Sequence, residues 1–234
     1  MPGLLAGFLG IGGLAEAGPL ADRCLSLEAS LKPEATVAAC NPAFSEELST
    51  VLQVEVLIQR GVALRSLGRY DAAIADLERA LTLAPGNADG LRMLAWTERE
   101  RGNLAVAEAI YTRVLTVDDH WQGWLSRCVV RLDLDRPKDA VNDCREAEAR
   151  DPGNPDTAYF FARSLNELGT HDEAARVARR AAAAADAPPR IFDELVRAEV
   201  ALGNRDAART VLEEGLRRYP ENLGLRRLLA VLGE

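Results

Sequence analysis

A chain of 234 residues with 48% apolar side chains can bury a sizeable core, yet aromatics are only 5%. Alanine and other small residues must therefore supply much of the packing. The formal net charge of −8 argues against a nucleic-acid backbone or an anionic membrane surface as a general partner, and no run of 18 or more apolar residues is present to span a membrane.

Residues 1–17, MPGLLAGFLGIGGLAEA, contain an apolar stretch from Leu4 to Leu14 followed by Ala15-Glu16-Ala17, the Ala-x-Ala form of a signal-peptide cleavage site. No Lys or Arg precedes the stretch, and the five glycines of residues 1–17 weaken the segment as a helix. The competing expectation is an apolar segment lying on the first hairpin.

Residues 18–53 read as a degenerate capping hairpin and the start of a long helix. LKPEATVAAC (Leu31 to Cys40) aligns with DRPKDAVNDC (Asp135 to Cys144): each has a basic residue and proline at a turn, then a valine with a cysteine three residues on. Cys24 and Cys40 are 16 apart, as are Cys128 and Cys144, and their midpoints fall at Lys32 and Arg136. Residues equidistant from the turn of an antiparallel hairpin face each other, so two disulfides are expected, Cys24–Cys40 and Cys128–Cys144, in an oxidising compartment. Each would stabilise the fold by roughly 3 kcal/mol. The alternative is a cytoplasmic chain with four small buried thiols. Asn41-Pro42 should interrupt the hairpin's second helix, and Ser45 with Glu46 and Glu47 should cap a helix running to about Leu67.

From residue 54 the pattern repeats. Ala73, Ala107, Ala140, Ala174 and Ala208 recur at spacings of 34, 33, 34 and 34. The preceding turns hold Gly68, Gly102, Asp135, Gly169 and Gly203, and closing turns carry Pro85, Pro152 and Pro220. So short and regular a period is the mark of stacked helical hairpins that bury their faces only against neighbours. Five units are expected, 54–87, 88–120, 121–154, 155–188 and 189–222. The fourth has an unusually bare second helix, ARVARRAAAAADAPP, and residues 223–234 form an amphipathic capping helix.

The period and residue types resemble the tetratricopeptide repeat. The family's large first-helix slot holds Leu57, Leu91, Trp124, Ala158 and Phe192; its small slot holds Gly61, Ala95, Cys128, Ala162 and Val196. The second-helix aromatic is mostly replaced, by Leu77, Tyr111, Cys144, Ala178 and Leu212. The resemblance implies an all-α fold, a right-handed α-solenoid of stacked antiparallel hairpins whose first helices line a concave groove. Carried over, the groove-facing slots are Ile58, Val62 and Arg65; Arg92, Trp96 and Arg99; Leu125, Val129 and Leu132; Tyr159, Arg163 and Asn166; and Asp193, Arg197 and Val200. Arg65, Arg92, Trp96, Arg99, Tyr159, Arg163 and Arg197 are the candidate partner-binding residues: arginines among aromatics suit an acidic or carboxylate-bearing peptide. Asp89, Glu100, Asp133, Asp156 and Glu167 lie on the margins and could neutralise them. The lysine and asparagine clamp of chaperone-binding members is absent.

No catalytic constellation or cofactor motif is expected. His120 beside Asp118 and Asp119 reads as a helix cap rather than a metal site, His171 opens a helix, and no C-x-x-C spacing or Gly-rich phosphate loop occurs. The reading is a non-catalytic adaptor that binds a protein or peptide, periplasmic or secreted. The alternative is a structural subunit that docks through its terminal hairpin or capping helix.

Overall fold

The computed structural model describes residues 18–232, and the described residues form thirteen α-helices and no strand. The expected export segment, residues 1–17, lies outside them. The chain divides into two compact units, Met1–Thr97 and Glu98–Glu234.

In the first unit, α1 (Pro19–Leu25) and α2 (Pro33–Ala43) form a hairpin, followed by α3 (Thr50–Ser66), α4 (Tyr70–Leu83) and the start of α5 (Ala88–Arg101). Pro33 opens α2 as its first residue, where a missing N–H costs nothing. The sequence placed the α3 cap at Ser45, and the structure moves it. Ser49 Oγ accepts from the Leu52 N–H at 3.3 Å, while Ser45 Oγ donates to the Pro42 carbonyl. Pro42 does not end α2, which runs one residue past it. Near the C-terminus the N–H that proline removes has little left to support. Glu46 is drawn away from α3 altogether: its carboxylate accepts the Leu20 and Ala21 N–H groups, both at 3.0 Å, at the start of α1.

The second unit continues with α6 (Leu104–Val117), α7 (Trp121–Asp133), α8 (Pro137–Arg150), α9 (Pro155–Leu168), α10 (His171–Ala182), α11 (Pro189–Ala201), α12 (Arg205–Arg218) and α13 (Leu223–Leu232). Neighbouring helices α7 to α12 pack in antiparallel pairs around one continuous core rich in alanine, with Phe161, Leu165, Ile191, Phe192, Leu212 and Leu225 as its large members.

The α-solenoid expected from the sequence is the fold observed, and the recurring alanines hold equivalent places in it. Ala73, Ala107, Ala140, Ala174 and Ala208 are each the fourth residue of their helix, and each is 0% exposed. A larger side chain there would push the helix off its neighbours. The five turns before these helices share one geometry. Gly68, Gly102, Gly169 and Gly203 have φ between 69° and 95°, and Asp135 is the one non-glycine among the described residues with positive φ, at 55°. At each, the residue after the turn donates its N–H to a carbonyl five positions back (Arg69 to Leu64 at 2.9 Å, Arg136 to Arg131 at 2.9 Å). These bonds satisfy carbonyls that a helix end leaves open.

Both cysteine pairs stand at disulfide distance, 2.04 Å for Cys24–Cys40 and 2.05 Å for Cys128–Cys144, and all four residues are fully buried. The first joins α1 to α2 and the second α7 to α8.

The left-handed turn at Asp135 generates a prediction with two signs. Asp135→Gly should raise stability by about 0.5 kcal/mol, because glycine adopts this φ without a Cβ penalty. Asp135→Val should lower it by about 1–2 kcal/mol, since a β-branched residue tolerates the conformation least. Urea midpoints of the two variants shifting in the same direction would refute this account of the turn.

Candidate functional site

In the first unit the exposed aromatic is Trp96, 41% exposed on α5. Arg65 of α3 lies over its ring with the guanidinium carbon 4.0 Å from the centroid. Arg65 is itself buried, so it serves as a support for the indole rather than as a charge offered to solvent. Such a stack contributes about 0.5–2 kcal/mol and fixes the ring plane. Arg92, one helical turn before Trp96, is ion-paired with Asp89.

In the second unit the candidate arginines also have partners. Arg99 Nε meets Asp133 at 2.6 Å and Arg163 Nε meets Glu167 at 2.8 Å; Arg197 reaches Glu194 only at 3.8 Å. The positive charge of these arginines is therefore largely cancelled by the marginal acids, one turn or one helix away. Leu125, Leu132 and Asn166, carried over as groove-facing, are buried. Asn166 Nδ2 instead donates to the Glu194 carbonyl at 3.0 Å and to its carboxylate at 2.9 Å, tying α9 to α11. Tyr159 is half-buried, edge-on to Phe160 at 4.8 Å between centroids and 4.8 Å beneath Arg190.

A cleft of about 450 Å³ opens between α11 and α13, lined by Asp193, Val196, Arg197, Val200, Gly224, Arg227 and Leu228. Asp193, Arg197 and Val200 are the three slots that the resemblance named for this helix. The other half comes from α13, which the sequence reading treated only as a cap. Gly224, Arg227 and Leu228 sit at i, i+3 and i+4, a spacing that puts them on one helix face and could have revealed them. A Cβ on Gly224 would stand in ordinary contact, 3.6 Å from Asp193 Oδ2.

The cleft is chemically mixed. Asp193 Oδ1 is buried with no hydrogen-bond partner. Burial pushes the Asp193 carboxyl above its ordinary range, the neighbouring Glu194 charge adds to this, and Arg197 opposes it. Arg197 is more than half exposed. Arg227 is exposed and makes no ion pair among the described residues. A ligand here would meet two guanidiniums at the rim and the apolar sides of Val196, Val200 and Leu228.

The sequence-level metal candidate resolves into structural contacts. His120 Nδ1 accepts from the Gln122 N–H at 3.5 Å at the start of α7. Asp119 accepts from Trp124 Nε1 at 2.6 Å and from Arg150 at 2.8 Å. Among the described residues no group of His, Cys, Asp and Glu could hold a metal ion, and no helix is long and apolar enough to cross a membrane.

A family model described as the tetratricopeptide repeat matches residues 58–122 and 129–188, and a second of the same description matches 189–232. No curated protein matches the sequence. Among solved structures, a tetratricopeptide repeat protein from Parabacteroides merdae is similar at 16% identity, with a TM-score of 0.72 over 92% of this chain and 86% of its own. MamA protein is similar at 19% identity, with a TM-score of 0.65 over 72% of this chain and 93% of its own. YrrB, described as a tetratricopeptide protein with an unusual peptide-binding site, is similar at 16% identity, with a TM-score of 0.64 over 75% and 91%.

The environment of Asp193 gives a pH-dependent prediction. Its folded pKa lies above the unfolded value of about 3.8, so the folded state holds the proton more tightly, and stability falls as pH rises through the interval between the two. Asp193→Asn removes that loss. The variant should gain in urea midpoint relative to wild type at pH 7.5, and the difference should shrink as pH is lowered towards 4. A difference independent of pH would refute it.

Proposed function

The chain belongs to the tetratricopeptide repeat family, and from that premise we propose that it is a non-catalytic scaffold holding a peptide or partner protein on the exposed surface of its first helices. The fold is typical of protein–protein interaction scaffolds, whose members are generally non-catalytic. In this reading residues 54–222 are five repeats, 18–53 and 223–234 close the two ends, and the contact residues are Trp96 with Arg65 and Arg92 in the first unit, and Arg99, Tyr159, Arg163 and Arg197 in the second. The observation that carries it is the cleft of Asp193, Arg197, Val200 and Arg227, where the family's groove-facing slots open onto about 450 Å³ of space. Arg197 and Arg227 favour a partner bearing carboxylates at this point. The peptide-binding site described for YrrB supports the same use of the fold.

The two buried cysteine pairs favour an oxidising compartment, periplasmic or extracellular. A second reading, a structural subunit docking through α13, draws on the exposed Leu223 and Leu229 of that helix.

A photo-crosslinking residue at position 200 should capture a partner in cells, and Arg197→Glu should reduce that adduct by at least tenfold while the same probe at position 213 on α12 captures none. Equal capture at both positions would refute the groove. Leu229→Asp should leave the adduct intact if the groove binds, and should abolish assembly, read by light scattering, if α13 docks instead.

Protein isolated without reductant and then unfolded should take up no maleimide. Labelling of four thiols would place it in a reducing compartment. Reduction of the purified protein should cost roughly 3 kcal/mol for each pair opened.

A further inference from the structure

Gly18 is the N-cap of α1, one residue before the helix begins at Pro19. Its carbonyl accepts the Asp22 N–H at 2.9 Å, the first bond of the helix. Pro19 has no N–H to satisfy, so the open donors at this end are those of Leu20 and Ala21.

Those donors are met from far along the chain. One oxygen of the Glu46 carboxylate accepts the Leu20 N–H and the other accepts the Ala21 N–H, both at 3.0 Å. This is the task that an N-cap side chain ordinarily performs. Gly18 has no side chain, and the space for one is taken: a Cβ there would stand 2.6 Å from the carboxylate carbon and from both oxygens. Glycine is therefore required here by the closeness of Glu46, since its φ of −68° is open to any residue.

An ammonium on Gly18 would share that carboxylate. A backbone nitrogen lies about 2.5 Å from the Cβ position of its own residue, which puts the Gly18 nitrogen within about 5 Å of the Glu46 carboxylate. A carboxylate keeps lone pairs free after accepting two N–H groups, and Glu46 is only half-buried. An opposite charge at this range favours the charged amine, whereas a peptide N–H at Gly18 brings no charge to pair. Directly before Gly18 stand Ala15-Glu16-Ala17, with small residues one and three places from the bond, after the apolar stretch from Leu4 to Leu14.

We infer that an export endopeptidase cuts the chain between Ala17 and Gly18, and that Glu46 receives the ammonium which the cut creates. Water adds across the peptide bond, its hydroxyl going to the Ala17 carbonyl carbon and its hydrogen to the Gly18 nitrogen. The new carboxylic proton passes to the amine, leaving a carboxylate on the released segment and an ammonium on the remaining chain. α1 loses no hydrogen bond in the process, because Asp22 holds its first carbonyl and Glu46 its first two donors. Such a cut rests on export, as read above from the cysteine pairs, and fixes where the mature chain begins.

The test is N-terminal sequencing of the full gene's product, isolated without reductant from the cells that make it, with maleimide labelling after unfolding. The sequence Gly-Pro-Leu-Ala-Asp and no labelled thiol are expected. Oxidised protein that begins at any residue other than Gly18 overturns the cut and leaves the compartment reading standing, whereas an uncut chain with four labelled thiols overturns both. Ala17→Leu should be cut roughly tenfold less, because the bond is recognised through its small neighbours; cutting as complete as in wild type would refute that recognition. The pairing has a separate readout, NMR titration of the 13C-methylated terminal amine in the processed protein. The amine should titrate at higher pH in wild type than in Glu46→Gln, where it should return to the ordinary range of about 7.7–8.0. Equal titration in the two proteins would remove Glu46 from the assignment.

Discussion

The structure depends on how closely the two helices of a hairpin can approach. At the fourth residue of each second helix only an alanine methyl stands between backbones, and the matching first-helix positions are glycine, alanine, cysteine or valine, all buried. The margin is thin. A Cβ on Gly61 would lie 3.0 Å from Leu77 Cγ, and one on Gly215 would meet Leu225 and Phe192 at 3.1 and 3.2 Å. A chain with few aromatics can still form a dense core in this way, because dispersion gained from many close backbone and methyl contacts replaces that of large rings.

Close approach also fixes what faces what across a hairpin. Residues 16 apart and centred on the turn meet, and the protein uses that relation in more than one chemistry. Cys24–Cys40 and Cys128–Cys144 are centred on Lys32 and Arg136. Arg60–Asp76 is centred on Gly68, with two contacts of 2.7 Å, and Arg127–Asp143 on Asp135, with contacts of 2.9 and 2.8 Å. Asp143, 2% exposed, also takes Arg131 at 2.8 Å, and Arg131 continues to Glu108. Such buried bidentate pairs contribute to register more surely than to net stability, because desolvation offsets much of the attraction.

Much of this was legible in the sequence. The alanine period, the five turn residues and the facing cysteines follow from spacing alone, since each reflects a steric or geometric rule that tolerates few residue types. The Arg–Asp clamps follow from the rule that pairs the cysteines but were overlooked, because charged residues on helices read by default as solvated faces. What spacing could not supply was competition between neighbours. Ser45 and Ser49 are equally good caps in isolation, and only the pull of the α1 N–H groups on Glu46 decides between them. Likewise the groove arginines carry a charge that sequence can count, but their pairing with Asp133 and Glu167 depends on side-chain reach between helices and along one.

Both openings on the second unit arise where the repeat departs from its own rule. The cleft beside Asp193 opens between α11 and α13, where Asp193, Arg197 and Val200 stand opposite Arg227 and Leu228. A second cleft, of about 410 Å³, lined by Glu148, Pro155, Ala158, Ala181, Ala184 and Ala187, exists because alanines run on past the one position that requires a small residue. In each, an acidic oxygen is left buried without a donor, a condition that the regular parts of the stack largely avoid through the turn bonds and the Arg–Asp clamps. The two clefts accordingly open beside the alanine-rich helix α10 and beside α13, which lies outside the alanine period.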